Sequence, residues 1–144
     1  MIKEITIMFN KKYRLTHHTK KVDGHTLYQI KAVKSFGDVK KGDLGGWIEG
    51  YDNLSQSDTA WVYNNAKVYE DALVCDKAKV YGNAMVLGNA WVCDNAVVYD
   101  NAHVSGYAVV CDNATIYGYN RVCCGVFGSG VDVVSNGWGY LKNV

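Results

Sequence analysis

An alanine recurs at every sixth position from residue 60 to residue 114, and a valine or isoleucine follows each alanine two positions later. Between one valine and the next alanine stands a pair such as Gly82-Asn83 or Asp94-Asn95, and these residue types tolerate the left-handed backbone of tight corners. Strands this short do not bury enough surface to be stable alone. The pattern therefore predicts a solenoid of short parallel strands, stacked in register with the alanine and valine side chains inward.

The repeated units resemble those of the hexapeptide-repeat family. Residues 80–85, VYGNAM, carry an aliphatic residue followed four positions later by a small one, and in that family both side chains point inward. The resemblance implies an all-β chain, a single-stranded left-handed parallel β-helix with three hexads per coil, in which coils stack about 4.8 Å apart. In this chain a Tyr, Cys or Leu often follows the valine, where the family has smaller or acidic residues, so we expect bulkier corners.

A second resemblance covers nearly the whole chain. The segment GDLGGWIE at residues 42–49, the tripeptide Asn53-Leu54-Ser55 and the VYGNA-type hexads are together similar to small proteins encoded by phages and prophages. This resemblance implies an accessory protein that binds or inhibits a host factor, for example as an anti-CRISPR-like anti-defence protein or by sequestering a ligand. It implies no particular chemistry.

The chain divides into three predicted parts. Residues 1–47 form a basic β-hairpin head and N-terminal cap, because residues 1–41 hold ten Lys or Arg against three Asp or Glu and Asp23-Gly24 favours a hairpin turn. Such a cap protects the strand edge at the end of a solenoid. Residues 48–125 form the left-handed β-helix, and residues 126–144 cap its other end or contact a neighbouring subunit.

The repeat sorts the outward side chains into three faces. The first face is the predicted ligand or partner face, although stacking between coils alone also accounts for its aromatic residues: Trp61, Tyr63, Tyr81, Tyr99 and Tyr117. The second face is mixed: Lys67, Met85, His103 and Arg121. The apolar face is the predicted oligomer interface, because a monomer rarely exposes a stripe without charge: Leu73, Cys75, Trp91, Cys93, Val109 and Cys111. The alternative covers for the apolar face are the chain's own head or C-terminal tail, or a foreign partner.

The five cysteines are predicted to be reduced, since the N-terminus does not resemble a secretory signal, and those of the stack, Cys75, Cys93 and Cys111, are predicted to be buried and inert. Cys75, Cys93 and Cys111 stack one strand apart in the predicted coil. That arrangement lacks four convergent ligands for a tetrahedral metal, and disulfide bonding would distort it. The sequence therefore predicts no metal site and no cofactor.

The predicted function is that of a non-enzymatic binding or interaction protein on an oligomeric scaffold. A trimer is favoured over a dimer, because the hexapeptide-repeat proteins that the chain resembles are commonly trimers. The expected partner is a host protein or a small signalling molecule. Nucleic acid bound by the basic head is less favoured, because the lysines are not clustered with aromatic residues. With no membrane-length apolar segment and no signal peptide, the sequence predicts a cytoplasmic protein, in the host cytoplasm if it is phage-encoded.

The main alternative is an acyltransferase-like enzyme, because the hexapeptide-repeat fold also hosts acyltransferases and zinc-dependent carbonic anhydrases. His103 is the candidate general base. The repeat has no loop excursion between residues 60 and 122, and catalytic groups commonly lie on loops, so the pattern favours binding over catalysis. A purely structural oligomer is the third alternative.

Overall fold

A computed structural model describes residues 11–129 and the backbone of residues 132–133. The head holds β1 (Tyr13–Val22), β2 (His25–Ala32), β3 (Leu44–Ile48) and a 3-10 helix, Tyr51–Asn53. The repeat forms two-residue strands: β4 (Trp61–Val62), β5 (Lys67–Val68), β6 (Leu73–Val74), β7 (Lys79–Val80), β8 (Met85–Val86), β9 (Trp91–Val92), β10 (Val97–Val98), β11 (His103–Val104), β12 (Val109–Val110), β13 (Thr115–Ile116), β14 (Arg121–Val122), β15 (Val126–Phe127) and β16 (Asp132–Val133). No helix in these residues has the length and apolar character needed to cross a membrane.

The short strands stack in three parallel sheets, one for each face. The first face is the sheet β4-β7-β10-β13-β16, the second contains β5-β8-β11-β14, and the apolar face is β6-β9-β12-β15. Val97 pairs with Lys79 on one side and with Thr115 on the other, which are the residues 18 positions away in each direction. The predicted all-β solenoid with three hexads per coil is confirmed. Its left-handed sense stays a prediction from the hexapeptide-repeat resemblance.

The inward side chains form one continuous core. Every alanine from Ala60 to Ala114 is fully buried, and so is the valine or isoleucine two positions after each of them, from Val62 to Ile116. Each valine lies between its counterparts on the neighbouring coils, and burying such a side chain stabilises the fold by about 1.5 to 3 kcal/mol. The inward assignment made from the sequence is therefore confirmed.

The corners have the left-handed backbone that the turn pairs predict. One residue per hexad has φ between 54° and 69°, and Asp, Asn, Glu or Gly supplies it: Asp58, Asn64, Glu70, Asp76, Gly82, Gly88, Asp94, Asp100, Gly106, Asp112 and Gly118. The acidic corners also join the coils, because Asp76 Oδ2 accepts the N–H of Asp94 at 3.0 Å and Asp94 Oδ2 accepts that of Asp112 at 2.9 Å. Corner residues thus satisfy backbone donors that the short strands leave unpaired.

The head continues the second face of the solenoid. β2 pairs antiparallel with both β1 and β3, and β3 then pairs parallel with β5. A buried lysine links the start of the head to the segment before β4. Lys12 Nζ donates to the carbonyl oxygens of Ser57, Asp58 and Ala60 at 3.2, 3.3 and 2.7 Å. Burial lowers the pKa of Lys12 to about 8. The capping role that the sequence predicts for the head stays a prediction.

The tip of the hairpin is fixed to the first coil by polar contacts. The hydroxyl of the buried Tyr69 donates to Asp23 Oδ2 at 2.9 Å. His25 lies between two carboxylates, with Nδ1 2.8 Å from Glu49 Oε2 and Nε2 3.4 Å from Glu70 Oε2. The hydrogen bond with Glu49, supported by the charges of both glutamates, raises the pKa of His25 above its ordinary value.

Because the pKa of His25 is raised in the folded state, we expect its contribution to stability to depend on pH. The contribution is fully present below the ordinary histidine pKa of about 6.5 and is lost as the pH rises through the raised folded value. Urea unfolding at several pH values across this window should show the decline in the wild type and a flatter dependence in His25→Gln. His17→Gln, at an exposed hairpin histidine, is the matched control and should behave as the wild type. An unchanged slope in His25→Gln would contradict this assignment.

The parallel pairing extends beyond residue 125, where the sequence predicts the helix to end. Val126 pairs with Val109, only 17 positions away, so this coil is one residue shorter than the others. Gly106 makes the shortening possible, because a Cβ at this position would collide with the carbonyl oxygen of Cys123. The predicted role of the tail in capping or subunit contact concerns mainly residues 134–144, which lie outside the described residues.

Candidate functional site

The tyrosine ladder, defined as Tyr63, Tyr81, Tyr99 and Tyr117, runs along the first face with one ring per coil. Tyr81 and Tyr99 stack with ring centroids 5.0 Å apart and an angle of 11°, and Tyr99 and Tyr117 stack at 5.5 Å and 14°. Tyr63 meets Tyr81 edge-on at 6.1 Å. Parallel coils in register place equivalent side chains beside one another, and the result is a continuous aromatic surface.

Charged groups border the tyrosine ladder at its first-coil end. The Tyr63 hydroxyl donates to Asp38 Oδ1 at 2.7 Å, and Lys79 Nζ lies 3.4 Å from Asp38 Oδ2. Burial, followed by the hydrogen bond to Asp38, raises the pKa of Tyr63, so that its hydroxyl stays a neutral donor. A cleft of about 450 Å³ opens here, between the ladder and Val97. It combines aromatic walls with a few polar groups, as ligand sites commonly do.

Trp61 is not available on this surface. The sequence assigns it to the ligand or partner face, but only 1% of it is exposed. The rings of Tyr13 and Phe36 in the head meet its indole edge-on, at centroid distances of 6.1 and 5.2 Å. The structure therefore corrects the placement of Trp61: it anchors the head, because the head covers the first coil on this side.

The apolar face presents one large side chain per coil in register. Leu73 pairs with Trp91, Trp91 with Val109, and Val109 with Val126. Trp91 is 51% exposed and Val126 is 61% exposed, whereas Leu73 and Val109 are half-buried. The segment before the first coil joins this sheet through a bridge from Leu54 to Val74, yet residues 11–129 leave half of Trp91 uncovered.

The predicted cysteine stack is present, but its thiols are half-buried rather than buried, and Cys123 and Cys124 are exposed. Burial, followed by the charge of Asp76, raises the pKa of Cys75 to about 11. Burial and the neighbouring Cys75 raise that of Cys93 to about 12. Thiols with such values are weak nucleophiles near neutral pH, since the thiolate is the reactive form.

Carboxylates stand beside these thiols, and sequence reasoning missed them. The ligand atoms of each of two groups lie within 4.8 Å of one another: Cys75, Asp76 and Cys93 in one group, and Asp94, Cys111 and Asp112 in the other. The aspartates occupy turn positions of the repeat, so only the thiols stood out as possible ligands. The signal was a Cys-Asp pair that recurs every 18 residues, starting at residues 75, 93 and 111.

His103, the candidate general base, is half-buried in β11. Its sheet neighbours are Met85 and Arg121, and neither carries a nucleophile. Burial, followed by the charge of Arg121, lowers the pKa of His103. The imidazole is therefore neutral near pH 7, as a base must be, but these neighbours supply no group for it to activate.

The basic head offers a separate cleft of about 380 Å³, whose lining includes Arg14, His17, His18 and Lys31. Other head cations are engaged with aromatic rings, since Lys20 Nζ lies 4.1 Å from the ring centroid of Trp47. Nucleic-acid binding by the head, the less favoured interaction, stays a prediction. This cleft is where it would take place.

Comparison with known families agrees with this architecture. Residues 78–94 and 90–106 match the family model described as the YdcK beta-solenoid repeat. The matched segments lie in the central coils, from β7 to β11, and leave the head and the C-terminal part unmatched. No curated protein sequence matches the chain significantly. The chain is therefore a repeat β-solenoid protein.

Proposed function

We propose that this chain is a non-enzymatic binding protein that self-associates through its apolar face and presents the tyrosine ladder to a partner. The observation that carries the proposal is Trp91, which is 51% exposed in the middle of a face whose strands, β6, β9, β12 and β15, contain no charged residue. Contiguous apolar patches of this kind mark interaction sites in soluble proteins.

A second copy of the chain is the occupant that best fits the apolar face. Leu73, Trp91 and Val109 project from coils about one strand spacing apart and form a strip. Full burial of such a side chain stabilises by roughly 1.5 to 3 kcal/mol relative to full exposure, and the surface of Leu73, Trp91 and Val109 that stays exposed contributes part of that amount for each side chain on association. Closed symmetry buries one strip against its copies, and a trimer accords with the hexapeptide-repeat resemblance. Within residues 11–129, the head strands β1 to β3 extend the sheet of the second face and none of them pairs with a strand of the apolar face.

Replacing Trp91 with Glu tests self-association. We expect light scattering to give an oligomer for the wild type and a monomer for Trp91→Glu, because a central tryptophan contributes about 2 kcal/mol or more and the variant places like charges at the contact. Met85→Glu introduces the same charge at the equivalent position of the previous hexad, on the second face, and should leave the mass unchanged. A monomeric wild type, or an unchanged mass for Trp91→Glu, would refute the proposal.

The tyrosine ladder is the proposed contact surface for the partner. The GDLGGWIE segment, resembling that of small phage and prophage proteins, supports an accessory role in the host cytoplasm, directed at a host protein or a small signalling molecule. Stacked aromatic rings with Lys79 and Asp38 at one end suit a flat or aromatic group that also carries polar atoms. Co-purification from host lysate should yield one abundant partner that Tyr81→Ala loses and Met85→Glu retains.

An acetyl-transfer assay distinguishes this proposal from the enzyme alternative. The binding protein should show no transfer above background, and His103→Ala should retain the partner captured by the wild type. Transfer by the wild type that is lost in a folded, oligomeric His103→Ala variant would overturn the non-enzymatic assignment.

A further inference from the structure

Two thiols and a carboxylate converge at one corner of the apolar face. The Sγ atoms of Cys75 and Cys93 and a carboxylate oxygen of Asp76 all lie within 4.8 Å of one another. The two cysteines follow the paired strands β6 and β9, and Asp76 occupies the corner directly after Cys75. All three residues belong to one chain, so the arrangement does not depend on the proposed self-association.

We propose that Cys75, Asp76 and Cys93 bind a thiophilic d10 cation of the Zn²⁺ and Cd²⁺ class. Thiolates are the ligands that such ions favour, and a carboxylate is a common additional ligand. The three half-exposed or exposed side chains leave room for a water molecule as the fourth ligand of a tetrahedral ion.

The spacing of the three atoms suits this class of ion. Three atoms no more than 4.8 Å apart all lie within about 2.8 Å of a common point, because 4.8 Å divided by the square root of three is 2.8 Å. A Zn–S bond is about 2.3 Å long, and the bond to a carboxylate oxygen is about 2.0 to 2.2 Å. Side-chain rotations that move each ligand atom by less than about 1 Å therefore bring all three atoms to bonding distance. The backbones of the two coils need not move apart.

The corner already holds the carboxylate in place. Asp76 Oδ2 accepts the backbone N–H of Asp94 at 3.0 Å and lies 3.9 Å from Cys75 Sγ. A hydrogen bond of this kind orients a ligating carboxylate, and a carboxylate oxygen that accepts one hydrogen bond keeps a second lone pair for the ion. When the ion binds, the two thiols release their protons to solvent, so two thiolates and one carboxylate surround a divalent cation and the site carries a net charge of −1.

The next corner repeats the arrangement with a different donor set. Asp94, Cys111 and Asp112 supply one thiol and two carboxylates within the same 4.8 Å limit. A soft cation favours thiolates, so the group with two cysteines is expected to fill first and the group with one cysteine to bind more weakly.

Titration of the full-length, reduced protein with Cd²⁺ tests the site. We expect the thiolate-to-cadmium charge-transfer absorption to rise through the first equivalent in the wild type, and added Zn²⁺ to displace the cadmium. Cys93→Ser should weaken first-equivalent binding at least tenfold. Asp76→Asn should also weaken it about tenfold, although asparagine keeps an acceptor for the Asp94 N–H and tolerates the left-handed corner.

The exposed thiols provide the control. Cys124→Ser removes a cysteine outside both groups and should titrate as the wild type, whereas Cys111→Ser should lose only the weaker second equivalent. The proposal is overturned if the wild type gives no charge-transfer band, if the band survives unchanged in Cys93→Ser, or if it is lost in Cys124→Ser. An unchanged affinity in Asp76→Asn would show that Asp76 is not a ligand, and this result would also overturn the proposal.

Discussion

Asn53→Asp is expected to destabilise the protein by about 3 to 5 kcal/mol at neutral pH, a cost typical of an uncompensated buried charge. Asn53 is 2% exposed and uses both ends of its amide. Its Oδ1 accepts the N–H groups of Glu49 and Gly50 at 3.0 and 2.9 Å, while its Nδ2 donates to the carbonyl oxygens of Glu70 and Ala72 at 3.0 and 2.9 Å. The amide thus connects the end of the head to the first coil.

Aspartate has the same shape but lacks the two donors. Its second oxygen would face the two carbonyl oxygens, in a cleft that Glu49, Asp52, Glu70 and Asp71 also line. The folded state therefore disfavours ionisation and raises the pKa of the introduced carboxyl group above the ordinary value of about 3.9. The destabilisation should be smallest below that pH and should grow as the pH rises above it.

Urea unfolding at about pH 4 and pH 7 measures both effects against a matched control. Asn89→Asp makes the same chemical change at an exposed corner and should shift the free energy of unfolding by no more than about 0.5 kcal/mol. Equal stability for Asn53→Asp and Asn89→Asp at neutral pH would mean that the amide does not hold the head to the first coil.

The regular part of this fold was predictable because its cause is periodic. An alanine directly before each strand and a valine or isoleucine as its second residue recur every six residues, and burial of both rows follows directly from stacking. The same period placed Trp91 and Val109 on one outward face, where the structure has them. Corner residues such as Asp94 were also predictable, since few residue types accept a positive φ.

The ends of the solenoid were not predictable, because their contacts do not repeat. Trp61 occupies the same position in its hexad as Trp91, yet the first is buried by the head and the second is half-exposed. The position within the hexad is the same for both, so the repeat alone does not predict the difference. The shortened coil that ends at Val126 likewise depends on one backbone contact between Gly106 and Cys123, which no periodic pattern reveals.

The candidate metal group falls between these two cases. The six-residue period assigns each cysteine to a face and the residue that follows it to a corner, so the two are not grouped together. In the structure the corner lies beside the strand end, and Asp76 Oδ2 is 3.9 Å from Cys75 Sγ. Assigning residues to faces separates a cysteine at a strand end from the aspartate of the adjacent corner. The carboxylates were missed for this reason.

Gly46, the second glycine of the GDLGGWIE segment, lies too close to the first coil for a side chain. A Cβ on Gly46 would lie 2.6 Å from the carbonyl oxygen of Ala66 and 2.7 Å from Cγ1 of Val62. The same carbonyl oxygen accepts the N–H of Trp47 at 3.0 Å, a bond that seats β3 on β5. A side chain at this position therefore forces the head away from the first coil, or breaks the hydrogen bond that holds it there.

We expect Gly46→Ala to lower the free energy of unfolding by about 3 kcal/mol, from overpacking and the loss of this hydrogen bond. For a chain of this size the melting temperature should fall by roughly 10 °C. Gly50→Ala is the matched control, because its backbone is extended, with φ of −166°, and a Cβ there meets nothing within 4 Å. Its stability should stay within about 0.5 kcal/mol of the wild type. The same midpoint of thermal unfolding for both variants would contradict this prediction. It would mean that β3 can shift away from the first coil without loss of stability, and that the close packing of Gly46 does not hold the head in place.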